Sequence, residues 1–346
     1  MAAKFRFAFV GFRHPHIFEL WDAVKTHPDC EIVAACEPDI DTRRTLHERG
    51  EISISHEEFE LMLTEVSCEI VAVGDVYVNR GEQAIRTLES NHHLISDKPI
   101  CTKMTELFRI ETLAREKALK VGCQLDLTAS PTIRRLREVV LSGALGRLAT
   151  VTISAQHPLR YGTRPSWYFE PGCHGGVLND IGIHAFDLLP WLTGSRWLKL
   201  LTSRAWNCKA VDTPFFRDCA QFQGILEGEI SCFTDVSYLA PNKMGSRLPN
   251  YWRITIHGSN GMAETSAALD QVTVVLDGDE SPSKIPGLPG PPSAYLNDFL
   301  AEIRGATSVG GLNTERVILA SRLALLAQGL ADSSSSVQGE KHLETF

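Results

Sequence analysis

The sequence predicts an α/β protein of two domains: a doubly wound parallel sheet, then an α/β domain on an open, mostly antiparallel sheet. Three observations carry this. Through residues 1–127, short apolar runs alternate with helical segments of about 10–15 residues, the mark of βαβ units. From residue 128 on, strand-like segments follow one another with few helices between them. The length of 346 residues suits two domains at about 100–200 residues each.

FRFAFV (5–10) reads as a buried strand. HIFELWDAVK (16–25) reads as a helix with Ile17, Leu20, Trp21 and Val24 at helical spacing, and Pro15 suits its first turn. EIVAAC (31–36) is the second strand, and the polar helix DTRRTLHERG ends at Gly50. CEIVAVG (68–74) and GEQAIRTLES give the third strand and helix; HLIS (93–96), TELFRIETLAREKAL and KVGCQL complete the alternation. Right-handed crossovers then cover both sheet faces. In the second domain, 128–331, residues 131–143 read as a helix, RLATVTISAQH as an alternating strand, and NDIGIHAFDLLPWLT (179–193) as a helix. LKLLTSRAWN, QFQGILEGEISCFTDVSY, YWRITIHGS, GMAETSAA and QVTVVLD read as strand-like segments. PSKIPGLPGPPS (282–293) reads as a loop, 295–305 and 313–331 as helices, and 332–346 as a disordered tail.

A net charge of −8 argues against a general nucleic-acid binder, which needs a basic face. No stretch approaches the about 20 apolar residues of a membrane span, and the N-terminus has no signal-peptide pattern. The nine cysteines stand singly, without C-x-x-C, so neither a disulfide framework nor a zinc ribbon is expected, and a reducing cytoplasm is.

The first strand runs into VGFRHPHI (10–17), where a dinucleotide-binding protein places its glycine-rich turn. Gly11 allows a sharp turn into a helix N-terminus, whose free N–H groups and dipole favour a pyrophosphate. Phe12, Arg13 and His14 supply side chains there, and Arg13 can reach a phosphate. An ordinary βα loop with a surface Arg and His fits this stretch equally well. The second strand ends at Glu37, 26 residues after Gly11, near where a dinucleotide site places its ribose-binding acid. Its charge would repel a 2′-phosphate and favours NAD over NADP.

Two later stretches carry chemistry. SDKPI (96–100) puts Lys98 at the carboxyl end of the fourth strand, the ligand-binding edge of an open α/β sheet. A lysine there can stabilise charge developing on a substrate oxygen; a surface lysine before a turn is the plainer alternative. GGVLNDIGIHAFDLLPWLTG (175–194) sets Asp180 and His184 four apart, on one helix face. A carboxylate beside an imidazole is a general acid–base arrangement, though a capping Asp and a structural His have the same spacing. Arg164, Trp167 and Tyr168, just upstream, offer the ring faces and forked donors that suit a carbohydrate. His14, His16, Cys173 and His174 match no zinc spacing, and no metal is expected.

This order of motifs, a D/E-K-P turn followed by G-G-x-x-x-D-x-G-x-H-x-x-D, resembles the Gfo/Idh/MocA oxidoreductases over residues 5 to about 260. The resemblance implies an NAD(P)-binding Rossmann domain, with NAD preferred, and a second domain whose open sheet dimerises or tetramerises. It implies Lys98 as the active-site lysine, in a turn where the Lys–Pro bond is often cis, Asp180 as the substrate-binding acid and His184 as the catalytic acid–base. The reaction it implies is hydride transfer to or from a secondary alcohol of a sugar or cyclic polyol. Two fingerprint glycines are replaced, by Arg13 and His16. The usual Glu before the lysine is Asp97. A Thr-Pro-x-x-x-His run is here Asp75-Val76-Tyr77-Val78-Asn79-Arg80. These departures ring the cofactor, so Gly11, Phe12, Arg13, His14, His16, Glu37, Asp75, Asp97 and Lys98 are expected around it. Two alternatives stay open: an enzyme with tightly held NAD that oxidises a sugar transiently for elimination or glycosidic cleavage, and a non-catalytic dinucleotide sensor.

Overall fold

The computed structural model describes residues 3–50, 52–306 and 311–336. These fall into two compact units. The first comprises the chain up to Ser130 together with Glu170–Gly175 and Pro289–Arg322; the second holds Pro131–Phe169, Gly176–Leu288 and the chain from Leu323. The division is therefore not a single cut near residue 127.

The first unit is a five-stranded parallel sheet: β1 (Phe5–Val10), β2 (Cys30–Cys36), β3 (Ile70–Val73), β4 (His93–Ser96) and β5 (Val121–Cys123), in the order β2-β1-β3-β4-β5. Phe7 to Val10 and all of β3 are buried, so these strands are continuous apolar runs, as parallel strands covered on both faces must be. The helices are α1 (His16–Thr26), α2 (Ile40–Arg49), α3 (Phe59–Glu65), α4 (Tyr77–Glu89) and α5 (Met104–Glu116). Asp39 caps α2 by accepting from the Thr42 N–H at 2.8 Å, and Gly50 ends it at φ 63°. The strand order reverses between β1 and β3, so the ligand crevice of this topology lies at their carboxyl ends. Sequence order assigns residues 295–305 to the second domain, but they pack on the first. The Tyr295 hydroxyl meets Gln124 at 3.4 Å, and Thr314 accepts the Val121 N–H at 2.9 Å, closing the β5 edge. These two residues belong to α8 (Ala294–Ile303) and α9 (Thr314–Ser336).

The second unit is an eight-stranded sheet in the order β13-β12-β11-β10-β6-β9-β8-β7. Its strands are β6 (Leu148–Pro158), β7 (Trp197–Trp206), β8 (Cys219–Leu226), β9 (Ile230–Ala240), β10 (Arg253–Gly258), β11 (Gly261–Thr265), β12 (Gln271–Leu276) and β13 (Ser283–Pro286). Only β6 and β9 pair in parallel. One face is covered by α6 (Pro131–Leu141) and α7 (Ile183–Thr193). Val151, Ile153 and Ala155 of β6 and Ile254 and Ile256 of β10 point to it and are buried. Thr150 and Thr152, in the opposite phase, are exposed. Phe186 of α7 stacks on Phe222 of β8, with ring centroids 4.2 Å apart.

Several elements differ from the sequence reading. α3 is seven residues long, too short to show a period. α4 begins at Tyr77 rather than near Gly81, which puts Tyr77 and Arg80 in its first turn. The run 221–238 is two strands, reversed at Gly228 (φ 79°) and Glu229 (φ 62°). The loop expected at 282–293 contains β13. Helix α9 runs on through Ser336 into the expected tail, and residues 337–346 lie outside the described residues.

Pro190 sits inside α7 and has no N–H for the carbonyl of Phe186, four residues back. The Trp197 indole N–H donates to that carbonyl instead, at 3.1 Å. Trp197→Phe should therefore lose about 1–3 kcal/mol of unfolding free energy, the cost of an unpaired buried carbonyl. Adding Pro190→Ala, which restores a helix donor, should recover it. Denaturant unfolding of the two variants checks this, and an unchanged midpoint for Trp197→Phe would refute it.

Candidate active site

In the first unit the site is built at the ends of β1, β3 and β4. The chain leaves β1 through Gly11 at φ 79°, where a Cβ would stand 2.4 Å from the Asp75 Cβ; only glycine fits. The Phe12 ring turns into the core, against Phe9, Phe18 and Trp21. The Phe12 N–H donates to Glu37 at 2.5 Å, and the other Glu37 oxygen accepts the Asp39 N–H at 2.9 Å. The acid expected on the ribose thus braces the turn, and burial pushes its carboxyl up to about 7.

Arg13 is partly exposed and donates through Nε to Asp75 at 2.6 Å. Asp75 is buried and also accepts from the Val76 N–H, Asn79 and Gln83 at 2.7–3.0 Å. His14 is buried between two partners: Nδ1 meets Asp97, and Nε2 lies 3.1 Å from the Tyr77 hydroxyl. Burial pushes its pKa down to about 3 against the pull of Asp97, so the ring is neutral. Its partners then assign the tautomer: Nδ1–H donates to the carboxylate, and Nε2 accepts from the phenol. The half-exposed His16 places Nδ1 3.3 Å from the other Asp97 oxygen. Burial raises the Asp97 carboxyl, but Arg80, His14 and His16 outweigh it and hold the group well below the usual carboxylate range.

Arg80, fully buried, is the hub. It donates to Asp97 at 2.7 Å, to the Asp75 carbonyl at 2.7 Å and to the Lys98 carbonyl at 2.6 Å, with its guanidinium 4.5 Å from the Tyr77 ring centre. Lys98 is buried, and its bond to Pro99 is cis. His14, His16 and Asp97 also bring potential ligand atoms within 4.8 Å of one another, a grouping the sequence spacing did not show. Arg80 already supplies the positive charge there. A dication would face that buried guanidinium at roughly 4 kcal/mol per charge pair at 4 Å, so the cluster reads as a hydrogen-bonded network. Cys173 is not part of it, and the His174 ring packs 5.4 Å from that of Tyr77.

In the second unit, Gly176 has φ 93°, and a Cβ there would stand 2.1 Å from the Gln328 side chain. Gln328 uses that space to accept the Leu178 N–H at 3.1 Å. A π-turn, Leu178–Gly182, then leads into α7, where the sequence suggests one regular helix. Such wide turns occur often at functional sites. Asp180 lies in the π-turn and His184 in the first turn of α7, both buried. The Tyr238 hydroxyl of β9 donates to Asp180. His184 meets the Trp252 indole edge-on at 5.4 Å, and Trp252 holds the left-handed φ of 52°, rare for a bulky residue. Arg164 donates to the Leu159 and Pro158 carbonyls at 2.7 and 2.9 Å and lies 4.4 and 5.3 Å from the Tyr168 and Tyr238 ring centres. Trp167 and Tyr168 are buried, 4.1 Å apart.

Tyr238, Trp252 and Gln328 were not identified from the sequence, and Tyr77 and Arg80 entered only as part of the run 75–80, without a role of their own. For Tyr238 a signal existed: it shares a strand phase with the buried Thr234 and Val236, and a phenol on a covered face needs a partner for its hydroxyl.

Residues 5–125 match the family profile described as an oxidoreductase family with an NAD-binding Rossmann fold, and residues 133–264 the GFO/IDH/MocA C-terminal domain. The D-glucoside 3-dehydrogenase of Escherichia coli is 24% identical over 200 residues, 57% of this chain and 55% of that protein. The trans-1,2-dihydrobenzene-1,2-diol dehydrogenase of Bos taurus is 18% identical over 268 residues, 77% and 76% of the two chains. An uncharacterized oxidoreductase of Synechocystis is 22% identical over 177 residues, 50% and 47%. The chain spans about half the length of several curated relatives it matches. The aldose–aldose oxidoreductase from Caulobacter crescentus, complexed with glycerol, matches with a TM-score of 0.76 at 16% identity over 96% of this chain and 98% of that one. An oxidoreductase from Agrobacterium radiobacter, in complex with NAD⁺, L-tartaric acid and magnesium, gives 0.77 at 15% over 96% and 97%. At these identities the structural likeness shows the fold.

Two opposed pH effects are built into the first unit. His14 is depressed from 6.5 to about 3, so its contribution is present above 6.5 and is lost as pH falls toward 3. Glu37 is raised from 4.5 to about 7, so its contribution is present below 4.5 and is lost as pH rises toward 7. Between 4.5 and 6.5 the two cancel. His14→Gln should make stability fall with rising pH across that window, and Glu37→Gln should make it fall with falling pH. Unfolding midpoints measured from pH 4 to 8 test the two signs, and slopes of the same sign would refute the assignment.

Proposed function

Because the chain belongs to the Gfo/Idh/MocA oxidoreductase family, we propose that it transfers a hydride between NAD and a secondary alcohol carbon of a sugar or cyclic polyol. The first unit suits a dinucleotide at the β1–α1 turn. Gly11, packed against Asp75, makes the sharp turn into the N-terminus of α1, and Arg13, anchored through Nε alone among the described residues, keeps its terminal amino groups for a phosphate. Bound there, NAD supplies the hydride acceptor. Glu37 stands behind the turn, where a dinucleotide site places its ribose-binding acid, and on that placement we read NAD over NADP.

The reading is carried by Asp180 and His184, a buried carboxylate and an imidazole on consecutive turns. His184 takes the proton of the substrate hydroxyl. Asp180, held by Tyr238, orients the polar ends of the site. Lys98 stabilises the charge that develops on the substrate oxygen. Arg164, Trp167 and Tyr168, which pack with Tyr238, are the residues we assign to contact with a sugar ring. Both named dehydrogenase relatives act, by their names, on hydroxyl-bearing rings.

A second reading is favoured by one observation, the Arg13–Asp75 pair at the β1–α1 turn. A cofactor clamped there would stay bound through a transient oxidation leading to elimination or glycosidic cleavage. Protein purified with NADH-like absorbance supports that reading, and a requirement for added NAD⁺ counts against it.

Leu198, Leu201, Phe233 and Leu239 are exposed on β7 and β9, the two strands flanking β8, and we assign this end of the sheet to self-association as a homodimer or homotetramer. All nine cysteines are free, which suits a reducing compartment such as the cytoplasm. No helix among the described residues is long and apolar enough to cross a membrane.

The test is mass spectrometry of co-purifying small molecules, then a sugar and polyol panel with NAD⁺ and NADP⁺. His184→Ala should lose about 10²–10⁴-fold in turnover while still binding NAD. Wild-type turnover in that variant would overturn the assignment.

A further inference from the structure

We propose that Arg80 is the positioning residue for Lys98; this rests on the reading of Lys98 as a catalytic group. A guanidinium carries five N–H donors in one rigid plane. Arg80 divides them between two segments. At the end of β3 it meets the Asp75 carbonyl at 2.7 Å and the Gly74 carbonyl at 3.4 Å. In the turn after β4 it meets the Lys98 carbonyl at 2.6 Å, the Pro99 carbonyl at 3.3 Å and the Asp97 carboxylate at 2.7 Å. β3 and β4 are neighbours in the sheet, so one fully buried plane fixes the spacing of the two strand ends. The bond to Lys98 is made through its main-chain carbonyl, so Arg80 holds the point from which that side chain departs.

Charge neutralisation alone does not require this geometry. A lysine at position 80 could balance Asp97, but an ammonium is a point donor and cannot span four carbonyls and a carboxylate in one plane. The surroundings hold the plane in place. Tyr77 lies against the guanidinium at 4.5 Å, and His14 and His16 hold the Asp97 carboxylate from the β1–α1 turn.

The experiment separates the ion pair from the fork. The full-length Arg80→Lys/Asp97→Glu variant, loaded with NAD⁺, keeps the opposite charges and loses the planar donors. Acetylation of Lys98 by N-hydroxysuccinimide acetate is followed by mass spectrometry against Lys25, Lys103 and Lys284, which are exposed. The expected result is a folded protein with a lowered thermal midpoint, a Lys98 acetylation rate changed at least about tenfold with the control lysines unmoved, and turnover of D-glucose or myo-inositol down about 10–100-fold, the scale of a displaced catalytic group. A wild-type Lys98 rate in the folded variant would overturn the proposal. Should that variant not fold, Arg80→Ala supplied with free guanidinium must restore the wild-type Lys98 rate; ammonium restoring it equally well would also overturn it. Lys98→Met tests the underlying reading separately: full turnover in that variant removes the catalytic role while leaving the labelling result standing.

Discussion

The first unit depends on one buried ion pair, Arg80 with Asp97, both without solvent exposure. Two ions taken out of water lose several kcal/mol of hydration each, and their attraction offsets this only when the remaining donors and acceptors are also satisfied. Here they are. Arg80 directs its other N–H groups to main-chain carbonyls, and Asp97 accepts from His14 and His16 as well. Such a network is stable as a whole and costly in part, since removing one member of a buried pair leaves the other uncompensated, at about 3–5 kcal/mol. That cost keeps the β1–α1 turn, the end of β3 and the lysine turn in one arrangement.

The same network explains the degenerate glycine motif. Five residues that depart from the family pattern appear in three separate places along the chain: Arg13 and His16 in the turn, Asp75 and Arg80 after β3, and Asp97 before the lysine. In the fold they touch one another as Arg13–Asp75, Arg80–Asp97 and His16–Asp97. Each change has its partner among the others. In the fold these side chains occupy the turn and its surroundings and pair with one another.

The second unit solves a related problem with a different device. Asp180 and His184 are both buried, and a single wide turn with one phenol supplies the carboxylate with a donor. Gly176 admits Gln328, Gln328 fixes the start of the π-turn, and Tyr238 reaches Asp180 from the sheet. Pro190 further along α7 would leave a carbonyl unpaired, and Trp197 pairs it. Each irregularity in this segment is matched by a side chain from a different element.

Local sequence by itself determined the alternation of strands and helices in the first unit, the sharp turn at Gly11, the lysine at a strand end, and the spacing of Asp180 and His184. These are short-range properties, set by apolar period, by the φ that glycine alone adopts freely, and by distances of a few residues along the chain. Tertiary structure decided everything that joins residues far apart in sequence. Glu37 points at the turn because the Phe12 N–H lies beside it, 25 positions away. Tyr238 serves Asp180 across 58 positions, and His14 serves Asp97 across 83. Such pairings are fixed by strand order and register, which no local window contains, and by the requirement that every buried polar group find a partner once the core has closed.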